Sequence, residues 1–448
     1  MKAQFSSTAL VACLVALFFT IADARPLSRR RGMITLPLKP ITQAQHAGDL
    51  HPQVLLQQHI NRARVRVSHM TRSPKPSDEE LRDQLVKRFE GVSASGLVSR
   101  QDKCAGDAPP PECNNSLKLN IIANDVGYFA TVELGTPSRD FRLLMDSGSA
   151  DLWVGGENCR TDEAGGGGDC GPHTFLGPKS SSSFIDMKVP FEVTYGGGHV
   201  EGTKVLDRFT FGGLRIPNLQ FGVATLESTD FSGDDVPFDG LMGLALSSLS
   251  ELQGPTAIET LAASGLIDEA IVSYRIPRRK DNTDDGSITF GGLDDSKYDS
   301  ETLVTLPNIS PIGFWVAQAD NSTVDGKDTG IGRREALLDT GTTLFAAPRA
   351  DVEKIHSLID GTSTDEFGRF HVPCDTNATV ALSFGGLSFE IDSRDLVFAN
   401  LGDGDCLSGI GTVEGLANNS WLVGDTFLKN VYFSTNAKTN EISLAKLV

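Results

Sequence analysis

Leu143-Leu144-Met145-Asp146-Ser147-Gly148-Ser149 is an apolar run that ends in an acid, a hydroxyl, a glycine and a second hydroxyl. The same order returns at Ala336-Leu337-Leu338-Asp339-Thr340-Gly341-Thr342. Each copy is followed at long range by two apolar residues and a glycine, Leu241-Met242-Gly243 and Leu422-Val423-Gly424. In ordinary composition D-[ST]-G-[ST] arises about once in 7,000 windows, or ~0.06 times in a chain of this size. One copy alone reads as a turn, because Asp and Ser accept backbone hydrogen bonds and Gly supplies unusual dihedrals. A turn does not account for the whole pattern occurring twice. The repeat divides the body of the chain into two related halves.

An Asp leaving an apolar strand is carried toward the core. The Ser or Thr beside it can pin the loop, and the Gly lets two backbones approach closely. If the two halves face each other, Asp146 and Asp339 meet. Adjoining carboxylates cannot both ionise, so one keeps a proton while the other stays charged. That sets an acid beside a base. A water between them can lose a proton to one while the other polarises a carbonyl.

These motifs resemble those of pepsin-like aspartic endopeptidases, whose paired carboxylates are known to share one proton. The likeness covers about residues 119–448 and takes in 133–137 (ELGTP), Tyr195-Gly196, 237–244 (PFDGLMGL) and 423–428 (VGDTFL). It implies an all-β, bilobal pepsin-like aspartic protease fold, with two related β-rich lobes and the active cleft between them. It implies Asp146 and Asp339 as the catalytic pair, hydrogen-bonded by Ser149 and Thr342, with Gly148 and Gly341 at the loop tips. Tyr195 corresponds to the tyrosine of a flap that closes over substrate, followed by Gly196 and Gly197, and Trp153 to its hydrogen-bonding partner. Phe238 and Leu241 resemble the apolar wall of the pocket before the scissile bond, with core packing as the alternative. Two departures stand out. Ser147 replaces the usual Thr and keeps the hydroxyl. Gly197 replaces a hydroxyl or carboxyl side chain, which predicts a more flexible flap with weaker substrate contacts. Asp234 and Asp235 either favour basic substrate residues or form an exposed acidic loop.

Around these motifs, short apolar runs at 128–134, 141–145, 191–195 and 287–290 alternate with turn residues and read as strands. Helical spacing appears at 50–67, 256–264 and 350–358. The 448 residues are 39% hydrophobic and 22% charged, enough for two or three packed domains and incompatible with wholesale disorder. A net charge of −18 argues against nucleic acid as a partner. The charge is uneven. Residues 25–100 carry 14 Lys+Arg against 6 Asp+Glu, and residues 101–448 carry 25 against 51. A basic segment on an acidic body suggests two parts that attract one another, with a solvated basic tail as the alternative.

Lys2, the apolar run 9–21 and Ala22-Asp23-Ala24 have the form of a secretory signal. The expected organisation is a signal peptide at 1–24, a basic prosegment at 25–100, an N-terminal lobe with the flap at 101–300 and a C-terminal lobe at 301–448. Arg29-Arg30-Arg31, Lys87-Arg88 and Arg100 are expected processing points on exposed polar chain. Cys104, Cys113, Cys159, Cys170, Cys374 and Cys406 are an even set, for which nearest neighbours give pairs 104–113, 159–170 and 374–406. Sequons at Asn114, Asn308, Asn321, Asn377 and Asn418 fit a glycosylated surface. No C-x-x-C occurs, and no metal or cofactor is expected.

The expected product is a secreted monomer, without a membrane anchor, that hydrolyses proteins or peptides at acidic pH and is made as a zymogen whose partner is its own prosegment. A vacuole or lysosome is the alternative location. A non-catalytic binding or inhibitor protein on the same fold is the alternative function. An aspartyl-phosphate enzyme lacks its phosphate loop and Mg²⁺ cluster here, and a Ser-His-Asp hydrolase lacks a G-x-S-x-G in context.

Overall fold

The computed structural model describes residues 32–42, 51–94, 124–162, 166–195, 198–233, 236–278, 281 and 285–448. The signal-like segment, Arg29-Arg30-Arg31, Arg100, Cys104, Cys113, Asn114, Gly196, Gly197, Asp234 and Asp235 lie outside the described residues.

Each Asp motif ends the central strand of its own eight-stranded sheet. Arg139–Asp146 lies between Asn124–Leu134 and Gly240–Gly243, and Arg334–Leu338 lies between Val316–Val324 and Ser420–Val423. The apolar-apolar-Gly elements are the parallel neighbours of these strands, with Asp146 opposite Gly243 and Leu338 opposite Val423. Strands with neighbours on both sides and cover on both faces read as unbroken apolar runs, which is the texture of 143–145 and 336–338. Gly243 and Gly424 are obligatory for a local reason. A Cβ at Gly243 would meet the backbone of Ala150, and one at Gly424 the carbonyl of Thr342, because each Asp loop folds back over its glycine.

A six-stranded sheet joins the halves in the order Ile34–Pro37, Ser287–Phe290, Ile271–Arg275, Val431–Asn436, Glu441–Lys446, Val304–Pro307. It takes strands from both sides of residue 300, so the two halves are knitted together there rather than joined by a free linker. One continuous apolar core runs through both halves, from Phe141 and Phe221 to Phe384 and Phe433. Helices are short in this body. Ala257–Ala263 starts at a capping box, with Thr256 Oγ1 and Glu259 exchanging hydrogen bonds with each other's backbone, and Arg349–His356 follows the second Asp loop. Disulfides join Cys159 to Cys170 and Cys374 to Cys406.

The basic N-terminal segment is folded onto this body. Ile34–Pro37 extends the six-stranded sheet against Ser287–Phe290, and Lys39–Thr42 pairs with Asn124–Leu134. Helix α1 (Pro52–Thr71) follows, begun by a Pro at its first turn, then helix α2 (Asp78–Ala94). Helix α1 buries polar and apolar residues alike, including Gln57, His59, Asn61, Arg64 and Arg66. A helix covered all round sits inside a groove, not on a surface. Its partners include α2, through Asn61 Nδ2 donating to the Leu81 carbonyl at 2.9 Å.

Two expectations are corrected here. Lys87-Arg88 is not on exposed polar chain. It lies within α2, and the Arg88 side chain is 2% exposed, ion-paired to Asp365 at 3.0 Å and set 4.2 Å from the Phe367 ring centroid. A dibasic pair can sit on a helix with one residue facing in, which composition does not reveal. Asn308 is not a surface sequon. It is buried, its amide donates to Asn440 Oδ1 at 2.9 Å, and its oxygen accepts from the backbone N–H of Val316 at 2.9 Å. Asn377 and Asn418 are exposed. Among the described residues no helix is long and apolar enough to cross a membrane.

Candidate active site

The two Asp loops have the same local wiring. The N–H of Gly148 donates to Asp146 Oδ1 at 2.9 Å, and the Ser149 hydroxyl to Oδ2 at 2.6 Å. The N–H of Gly341 donates to Asp339 Oδ1 at 2.9 Å, and the Thr342 hydroxyl to Oδ2 at 2.6 Å. Both carboxylates are buried. The loops also lock to one another. The N–H of Ser147 donates to Thr340 Oγ1 at 3.0 Å, and that of Thr340 to Ser147 Oγ at 2.9 Å. Each hydroxyl in turn donates a hydrogen bond to the opposite strand, Thr340 Oγ1 to the Met145 carbonyl at 2.8 Å and Ser147 Oγ to the Leu338 carbonyl at 3.2 Å. This is why a hydroxyl, but not specifically Thr, serves at residue 147. A Cβ on Gly148 would strike the carboxylate of Asp339, and one on Gly341 that of Asp146, so each loop tip touches the other loop's acid.

Arg66 of α1 occupies the space between the acids. Its Nη2 lies 3.1 Å from both oxygens of Asp146, its Nε 3.0 Å from Asp339 Oδ2, and its Nη1 donates to the Gly148 carbonyl at 2.5 Å. The guanidinium fork suits two carboxylates at once. Burial works against the charged forms throughout. At Asp146 the Arg66 charge and the hydrogen bonds from Ser149 and Gly148 outweigh it, and the carboxyl is held below its ordinary value. At Asp339 burial, joined by the Asp146 charge, prevails over Arg66 and the pKa is raised. Burial also works to lower Arg66, yet the two carboxylates hold it above the ordinary arginine value.

Tyr195 directly follows the strand Ile185–Thr194, with its hydroxyl accepting from Trp153 Nε1 at 2.8 Å. Phe231 packs edge-on against both rings, with centroids 5.3 Å from each. Phe238 and Leu241 belong to the same buried apolar cluster. Beside the acids a cavity of about 480 Å³ remains, bordered by Arg66, Ser149, Asp151, Phe191, Tyr195 and Phe314. Phe238 and Leu241 are not among its lining residues. Asp151, which borders this cavity, carries no mark in the sequence motifs. It accepts from the Ser250 hydroxyl at 2.5 Å and from the N–H groups of Glu251 and Leu252 at 2.9 and 3.1 Å, tying the loop after the first Asp to the far wall. Arg66 is equally unmarked in sequence. Charge asymmetry marks its segment, but nothing in sequence distinguishes it from Arg62 and Arg64, one turn away or less.

Two β-rich halves, each presenting the same hydrogen-bonded Asp loop, make up the fold of a bilobal aspartic protease. The chain belongs to the eukaryotic aspartyl protease family, whose model matches residues 127–447. It is 33% identical over 339 residues to aspartic-type endopeptidase ctsD of Aspergillus fumigatus, covering 75% of this chain and 69% of that one. It is 30% identical over 439 residues to major aspartyl peptidase 1 of Cryptococcus neoformans, covering 92% and 85%. It is 31% identical over 338 residues to rhizopuspepsin-1 of Rhizopus niveus, covering 75% and 82%. The chain is an aspartic-type endopeptidase, and its substrates are proteins or peptides.

Proposed function

We propose that this endopeptidase is made as a latent zymogen, with Asp146 and Asp339 as its catalytic pair and Arg66 as the residue that holds them shut. The observation that carries this reading is the Arg66 guanidinium, in ion-pair distance of both carboxylates at 3.0–3.1 Å. While it is there, its guanidinium holds the place between the carboxylates that a catalytic water would take.

Once α1 leaves, two facing carboxylates remain that cannot both stay charged. One proton is taken up and shared. The charged partner then draws a proton from a bound water, whose oxygen attacks the scissile carbonyl carbon. The proton of the other partner moves to the carbonyl oxygen. The tetrahedral intermediate collapses as a proton passes to the leaving nitrogen, and the amide C–N bond breaks. Ser149, Thr342, Gly148 and Gly341 hold the carboxylates in place and stabilise their charged forms. Tyr195, fixed by Trp153, closes one side of the cleft and excludes bulk water.

The sign of the pH effect follows. Arg66 binds the doubly charged pair best, and the free pair holds a proton. Release therefore takes up a proton, and falling pH favours it by up to tenfold per unit. The basic segment also loses attraction as the acidic body neutralises. An acidic working environment fits this device, reached through the secretory pathway, outside the cell or in a vacuole or lysosome. The enzyme works as a monomer.

The test is a time course after a shift from pH 7 to pH 3–4, reading peptide cleavage and the N-terminus by mass spectrometry together. Activity is expected to appear as the basic segment at about 25–100 is lost. A folded chain lacking residues 25–100 with unchanged latency would overturn the proposal.

A further inference from the structure

Beside the plug, a second cavity of about 530 Å³ lies where α1, α2 and the C-terminal half meet. Its lining is strongly cationic: Arg64 from α1, Lys87 and Arg88 from α2, and Arg349 and Arg369 from the body, against Glu414. Three of these guanidinium groups have nitrogens buried without an acceptor: Arg64 Nη1, Arg88 Nε and Nη1, and Arg369 Nε. Such groups are rare in folded proteins, because each N–H taken from water needs a partner.

The carboxylates at hand balance this charge only in part: Arg349 has Glu353 at 3.5 Å, both half-exposed and largely screened. Arg88 has Asp365 at 3.0 Å. Arg64 has Glu80 at 2.6 Å and Glu414 at 2.8 Å, but their side chains are 51% and 73% exposed and largely screened. Arg369 has only the neutral side-chain oxygen of Gln57, and among the described residues no carboxylate lies in ion-pair distance of it. Burial and the charge of Arg88 push its pKa down to about 10, against the opposing pull of Asp365 and Glu414. Exposed Lys87 and Arg349 bring the cluster to the surface and give an anion a way in.

We propose that this cavity binds a small phosphate-class oxyanion, held by Arg64, Arg88 and Arg369 with Lys87 and Arg349 at its rim. Several guanidinium forks converging on one space match a tetrahedral oxyanion. The cationic lining surrounds a cavity between the helices and the body, which admits a small anion and not a phosphorylated macromolecule. The donors come from both α helices and the body, so the anion binds the docked arrangement and not the separated parts. By linkage it stabilises docking. Free phosphate would then delay release of the N-terminal segment; this consequence rests on the zymogen reading, whereas binding itself does not.

The experiment is calorimetric titration of the full-length chain with inorganic phosphate at pH 7.5, with ionic strength held by chloride. One saturable site is expected. Arg369→Gln should weaken it at least tenfold, and Arg349→Gln, whose side chain is half-exposed at the rim, at least threefold. No saturable binding by the wild type, or equal affinity in both folded variants, would overturn the proposal. Latency is read separately by peptide cleavage in the same samples. A chain that binds phosphate as described yet is active at full length would overturn the zymogen reading alone.

Discussion

Replacing Arg66 with Gln in the full-length chain removes the charge that lies between the two acids. Gln keeps much of the length but offers one amide where Arg66 offers three engaged nitrogens, to Asp146, Asp339 and the Gly148 carbonyl. Breaking a buried charged pair costs about 3–5 kcal/mol. The freed carboxylates recover part of this by taking up a proton. A net loss of about 3 kcal/mol corresponds to roughly 100-fold weaker closure. The assay is the initial rate on an internally quenched peptide at pH 6. Low nanomolar enzyme keeps cleavage between molecules negligible, and electrophoresis confirms that the chain is still intact. Arg66→Gln is expected to start roughly 100-fold faster than wild type, within the same precision. Equal initial rates, from variants with the same melting temperature and secondary structure, would refute the idea that the Arg66 charge keeps the acids from substrate.

Two further outcomes are expected. Tyr195→Phe leaves the buried Trp153 N–H without its acceptor; a cost of about 1–2 kcal/mol should lower kcat/KM about tenfold. Unchanged peptide kinetics would argue against a flap role for Tyr195. Burial raises Glu227 to about 8, so the folded chain keeps a proton there that the unfolded chain releases near pH 4.5. Its contribution is complete below about pH 4.5 and is lost as pH rises toward 8, by roughly 5 kcal/mol in all. Glu227→Gln should flatten the fall in stability between pH 5 and 8 in urea unfolding. Parallel curves for variant and wild type would contradict this.

The Asp loops and their lobes could be read in sequence because their determinants are local and repeated. An apolar strand, a hydroxyl-bearing turn and a glycine pressed on a backbone each demand a particular residue type. The same holds for the short helix expected at 256–264, and for the close cysteine pairs 159–170 and 374–406. What escaped depends on contacts between distant segments. Arg66 is one arginine among several until α1 is laid in the groove. Arg88 looks like half of an exposed dibasic site until Asp365 and Phe367, nearly 280 residues away, are brought beside it. Asn308 carries a sequon, but its amide is occupied by Asn440, 132 residues on. Helix α2 and the strand Ile34–Pro37 were missed because they are held by packing and sheet pairing more than by periodicity. Phe238 and Leu241 show how far a resemblance carries. Both are buried beneath Tyr195 and Trp153, where core packing and a pocket wall draw on the same residue types.

The central claim is that Asp146 and Asp339 together activate water. Its most direct test is digestion of an unfolded protein substrate across pH 3–7 after acid incubation, with wild type beside Asp339→Asn and products read by mass spectrometry. The variant keeps the shape of the site but cannot supply the second carboxyl. Acid-dependent cleavage by wild type, reduced by a factor of about 10³ or more in the variant, is the expected result. Equal cleavage by both folded, prosegment-free proteins would contradict the account and place the chemistry elsewhere.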